Sequence, residues 1–84
     1  MAYDVNEKRV NKILKIGRKY LTWVQNSLLE GEISEAKFTK LKLEIQKKAK
    51  KDEDTVCWYI MKEKKWLKKE KFGVEKGEPS FMID

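Results

Sequence analysis

Two hydrophobic periods alternate along this chain, and each change of period marks an element. Ala2-Tyr3-Asp4-Val5 reads as the end of a strand running into a helix. From Asn6 the period is helical, with Val10, Ile13, Leu14 and Gly17 at i, i+3, i+4 and i+7. The opposite face carries Lys8, Arg9, Lys12, Lys15, Arg18 and Lys19, and the helix is expected to stop near Tyr20. Between Leu21 and Glu30 strand formers such as Thr22, Trp23 and Val24 mix apolar and polar positions in a rough period of two, which predicts one strand closed by Gly31. Ser34 is placed to cap a second helix whose buried stripe is Phe38, Leu41, Ile45 and Ala49. On its solvated side Glu44 and Lys48 have the spacing of an ion pair.

Asp52-Glu53-Asp54 is a polar break. It is followed by Thr55-Val56-Cys57-Trp58-Tyr59-Ile60-Met61, a nearly continuous apolar, β-branched and aromatic run. Such a run predicts a central strand buried on both faces. Lys62 to Lys65 supplies a turn, and Trp66 to Phe72 alternates well enough for a further strand at an edge. Gly73 and the Gly77-Glu78-Pro79 cluster bound a short tail, Phe81-Met82-Ile83-Asp84. The resulting order, β-α-β-α-β-β, predicts an α+β fold of ferredoxin-like type: an antiparallel sheet with two helices on one face, forming one domain over residues 1–84. The apolar tail needs cover that a second subunit can provide.

Size sharpens that expectation. A chain of 84 residues buries little more than about 60% of the surface its unfolded form exposes, so it needs a supplement. Cys57 is the only cysteine and there is no histidine, which excludes a disulfide framework and the usual zinc ligand sets. Self-association remains. The lone cysteine and the lack of a signal peptide point to a reducing cytoplasm. No apolar run approaches the roughly 20 residues of a membrane span, so no membrane partner is expected. Twenty Lys and Arg against 14 Asp and Glu give a net charge of +6, which favours polyanions, nucleic acid first. The same excess also describes a merely lysine-rich, solvated surface of the kind heat-stable proteins carry.

The element order and several segments together resemble a known family. Tyr3-Asp4-Val5 stands at a strand end, Arg9-Val10 opens a helix, and Trp23-Val24-Gln25-Asn26-Ser27-Leu28-Leu29-Glu30-Gly31 follows. With the apolar strand at Thr55–Met61 and the closing Gly73-Val74, Gly77 and Pro79, the chain resembles the smaller core CRISPR adaptation proteins, the CRISPR-associated endoribonucleases. The Gln-x-Ser-apolar-apolar-Glu-Gly segment is the most specific part, and the likeness runs from Ala2 to the C-terminus. This resemblance implies a ferredoxin-like fold and a homodimer joined partly through C-terminal strands. It also implies a role in spacer acquisition, where the dimer bridges copies of the larger adaptation integrase and contacts DNA. A Mg²⁺-dependent nuclease activity centred on Asp4 is implied as well. Two features depart from the family. Only Met1 and Ala2 precede the Tyr-Asp pair, so either the first strand is clipped or the true start lies upstream. Leu29 replaces a frequent aromatic and Trp23 a frequent basic residue.

Each candidate residue has a plainer reading beside the functional one. Asp4 is a Mg²⁺ ligand and catalytic residue in the first; in the second it caps the helix, since Asp4-x-x-Glu7 has capping-box spacing. A two-fold axis beside the strand end would turn one Asp4 ligand into two. Lys8, Arg9, Lys12 and Arg18 are candidates for phosphate contact on DNA or RNA, with Arg9 best placed near the helix N-terminus; otherwise they are a solvated face. Lys47-Lys48, Lys50-Lys51, Lys62, Lys64 and Lys65 read better as solvated charge. Trp23, Trp58, Tyr59, Trp66 and Phe72 are expected in the core or a dimer interface rather than as base-stacking platforms. Cys57 reads as inert core. Three functions remain open: an adaptation scaffold for an integrase, a free-standing Mg²⁺-dependent nuclease, and a small basic interaction module unrelated to CRISPR.

Overall fold

A computed structural model describes residues 1–62 and 65–73 of the chain. Its elements are β1 (Ala2–Asp4), α1 (Glu7–Arg18), β2 (Thr22–Gln25), β3 (Leu28–Glu30), α2 (Glu35–Lys48), β4 (Thr55–Lys62) and β5 (Lys65–Gly73). The strands form one sheet in the order β2-β3-β1-β4-β5, with every neighbouring pair antiparallel. The first six elements and their order are those of a ferredoxin-like β-α-β-β-α-β unit, and β5 adds a further edge strand as a hairpin on β4.

Both helices pack on the same face. Ile13 and Ile16 of α1 and Leu41 and Ile45 of α2 share one core with Tyr3, Leu29, Val56 and Trp58 of the sheet. Tyr3 and Val56 are paired across β1 and β4, so the alternate residues Ala2, Asp4, Thr55 and Cys57 point to the other face. Gly17 lets α1 approach closely: a Cβ there would stand 3.1 Å from both Leu29 Cδ2 and Met1 Cε. Among the described residues no helix is long and apolar enough to cross a membrane.

The sequence reading needs three corrections. The expected single strand over Leu21–Glu30 is a hairpin, β2 and β3, turning through Asn26 at φ 43°. Asparagine tolerates that left-handed conformation, and a bulge between Trp23 and Gln25 adjusts the register. The helix cap attributed to Asp4 belongs to Asn6, whose side-chain oxygen accepts from the Lys8 N–H at 2.9 Å, while Asp4 stays in β1. Glu44 does not reach along its own helix to Lys48; it accepts from Lys19 and the Tyr20 hydroxyl at the end of α1. The expected Ser34 cap is present, its hydroxyl accepting from the Lys37 N–H at 3.2 Å. Glu63 and Lys64 of the expected turn, and the tail cluster Gly77-Glu78-Pro79 with Phe81–Asp84, lie outside the described residues.

Candidate functional site

Alternation along β1 separates the two members of the Tyr-Asp pair. Tyr3 is buried in the core, where desolvation pushes its phenol above the ordinary value, and Asp4 is exposed at the strand's end. Asp4 faces Thr55 in register across β4. Three residues later the chain enters α1, so the carboxylate of Asp4 stands at the junction of strand and helix.

A buried carboxylate locks that junction from the far side. Asp54 is wholly inaccessible to solvent. Its Oδ1 accepts from the Asn6 N–H at 2.9 Å and from Arg9 Nη2 at 2.9 Å; its Oδ2 accepts from Arg9 Nε at 2.7 Å and from the Lys50 N–H at 2.7 Å. Arg9 Nη2 also reaches Glu53 Oε1 at 3.1 Å. Burial opposes the charged form of Asp54, but the guanidinium and the two backbone N–H donors outweigh it and hold the carboxyl well below the usual range. Hydrogen bonding to Asp54 correspondingly raises Arg9. One side chain thus ties the start of α1, the loop after α2 and the start of β4 together. Both flanks of Asp4 are fixed by it.

The four cationic candidates divide accordingly. Arg9 is largely enclosed, and its fork is occupied by Asp54 and Glu53. Lys8 and Lys12 are exposed one turn apart on α1, and Lys15 continues the same stripe. Arg18, at the end of the helix, places its guanidinium carbon 5.9 Å from the centroid of the Trp23 ring.

The aromatic residues do not share one fate. Trp58 is buried and meets Phe38 edge to face at 6.0 Å between centroids; its buried indole N–H finds no hydrogen-bond acceptor among the described residues. Phe72 packs against the same core, and Cys57 is a buried free thiol. Trp23, expected in the core or an interface, is 47% exposed on the outermost strand of this sheet. Tyr59 lies beneath Lys69, with the ammonium 5.9 Å from the ring centroid. The Trp66 side chain is outside the described set.

Among the described residues no three acidic, histidine or cysteine side chains come together as a metal cage. A single exposed carboxylate nevertheless fits Mg²⁺, which takes one or two carboxylates and completes its shell with substrate phosphates and water. Asp4 alone would hold such an ion only together with oxygen ligands from substrate and water.

Asp54 is the residue that sequence reasoning missed. In sequence it stands within a polar break, and its partner Arg9 lies 45 positions away with no local pattern linking the two. The only signal was an acid placed directly before a continuous apolar run.

Residues 1–69 match the family model described as "CRISPR associated protein Cas2". A protein of Thermotoga maritima named "CRISPR-associated endoribonuclease Cas2" is 58% identical over 83 residues, which cover 99% of this chain and 95% of that one. A protein of the same name from Dictyoglomus turgidum is 51% identical over 78 residues, covering 93% and 90% respectively. A third relative, from Archaeoglobus fulgidus, is 46% identical over 77 residues, covering 92% of this chain and 84% of its own.

Proposed function

The chain belongs to the CRISPR-associated Cas2 family, and from that premise we propose that it is a dimeric nucleic-acid-binding component of spacer acquisition with a Mg²⁺-dependent endonuclease centre at Asp4. The third reading, an interaction module unrelated to CRISPR, falls with family membership. The observation that carries the proposal is the exposure of Asp4 at a strand end whose two flanks are locked by one buried acid.

In this reading Asp4 holds the metal and orients water towards a phosphodiester. Mg²⁺ bound there supplies polarisation of the phosphoryl oxygen and a lowered pKa for bound water. Lys8 and Lys12 attract the backbone without regard to sequence, and Arg18 adds a contact at the far end of the helix. Arg9 acts through Asp54, keeping the helix start and the strand end in place. The face that presents the exposed Asp4 is the one assigned to a second copy. A dimer on that face brings two Asp4 side chains towards one cleft, and offers two equivalent surfaces to the larger adaptation integrase. The relatives' printed name supports cleavage of RNA; the scaffold role predicts binding of DNA.

The test uses the full chain and its Asp4→Asn variant with end-labelled RNA and DNA, with Mg²⁺ and with chelator, alongside sedimentation and reconstitution with the integrase. Cleavage that requires Mg²⁺ and falls about 100-fold or more in the variant is the expected result. If acquisition persists in that variant, the scaffold is the principal role; if it disappears while folding and dimerisation are intact, the nuclease is. A solitary 10 kDa particle at micromolar concentration would overturn the dimeric site.

A further inference from the structure

We infer that Trp23 and Arg18 form a subsite for an unpaired nucleobase and its phosphate, a proposal that rests on the nucleic-acid reading above and names the form of substrate. Trp23 sits on β2, the outermost strand on this side of the sheet, and 47% of it is open to solvent. A tryptophan so exposed is unusual, since its large apolar area normally finds cover. The ring is nevertheless held. Its Nε1–H donates to the Asn26 carbonyl at 2.9 Å, across the β2–β3 turn, and the Arg18 guanidinium carbon lies 5.9 Å from its centroid.

An anchored, half-open indole beside a cation has the properties of a base-stacking platform. Every nucleobase has a face that can stack on it, and the guanidinium can take the adjoining phosphate. Because the ring is held before the ligand arrives, binding does not have to immobilise it. Lys15 lies one turn before Arg18 on the helix and is exposed, so the charge around the ring favours a polyanion over another apolar surface. In a duplex the base faces are already covered by their neighbours. Only a single-stranded segment, an overhang or a loop presents a free face, and this fixes the ligand class.

The experiment measures binding of the full chain to a labelled single-stranded oligonucleotide and to a blunt duplex of equal length at one salt concentration. Wild type is compared with Trp23→Leu, which keeps an apolar side chain, and Trp23→Phe, which keeps a ring. Affinity for the single strand should fall about tenfold in Trp23→Leu and stay within about twofold in Trp23→Phe, with duplex affinity nearly unchanged in both. The subsite is overturned if Trp23→Leu weakens single strand and duplex equally, or weakens neither. It is also overturned if the variant instead sediments as a smaller particle, because β2 would then be a contact between copies. Wild type binding neither nucleic acid overturns the underlying functional reading as well; wild type binding both, with silent variants, overturns the subsite alone.

Discussion

Arg9 Nε donates to Asp54 Oδ2 at 2.7 Å, and this pair joins the first helix to the strand that lies beside the Tyr-Asp segment. The acid is fully buried and the side chain of the base is 12% exposed, so solvent screens the contact little. A carboxylate that also accepts two backbone N–H groups has its hydrogen-bonding capacity filled. Losing either partner strands the other.

Asp54→Asn therefore lowers stability to urea by about 3 kcal/mol near neutral pH, because it leaves a guanidinium without its buried counter-charge. The pH dependence has a definite sign. The folded carboxyl lies below its unfolded value, so its contribution is complete above about pH 4 and is lost as pH falls towards the folded value. The difference between wild type and variant should be flat from about pH 5 to 8 and shrink in acid. A difference undiminished in acid would show that charge is not what Asp54 contributes.

Gly73 and Gly17 should respond in opposite ways to alanine. At Gly73 the backbone has φ 101°, and a Cβ would lie 1.8 Å from the Asp54 carbonyl oxygen, so the β4–β5 pairing must shift. A loss of about 2 kcal/mol or more is expected. At Gly17 the new methyl meets only the ends of the Leu29 and Met1 side chains, which can move, and helix propensity improves. Those effects should cancel to within about 1 kcal/mol. Urea midpoints of the two variants provide the comparison.

The cap of α1 can be assigned by a pair of substitutions. Asn6→Ala removes the acceptor for the Lys8 N–H and should cost about 1 kcal/mol. Asp4→Ala should leave stability nearly unchanged, since Asp4 lies in the strand and caps nothing. An equal loss in both variants would return the cap to Asp4.

Salt dependence separates the helix cations by role. Lys8→Gln and Lys12→Gln should each lower the slope of log affinity against log salt by about 0.9 for duplex DNA, without moving the thermal midpoint. Arg9→Gln should lower the midpoint and leave the slope nearly as it was, because its guanidinium is engaged by Asp54 and Glu53. Anisotropy titrations at several salt concentrations, with melts of the same samples, decide it.

Much of this architecture could be read before any coordinates. The stripe Val10, Ile13, Leu14 and Gly17 located α1, and Ser34 with Leu41 and Ile45 located α2. The apolar run from Thr55 found β4, which does lie between two strands, buried at Thr55–Trp58. The hairpin at Asn26 was missed because two short strands of three and four residues, joined by a polar turn, imitate one longer strand with mixed polarity. Asp4 and the lysines could be named as candidates from family likeness and charge.

Sequence alone determined what depends on neighbours along the chain: the helical periods, the Ser34 cap, the apolar run of β4, the excess of positive charge and the family. Tertiary structure decided what depends on residues that meet only after folding. It chose Asp54 as the lock on the strand end, withdrew Arg9 from the surface, and left Trp23 outside while burying Trp58. Periodicity records which face an element turns inward. It carries no record of which distant charge or backbone donor will be waiting there.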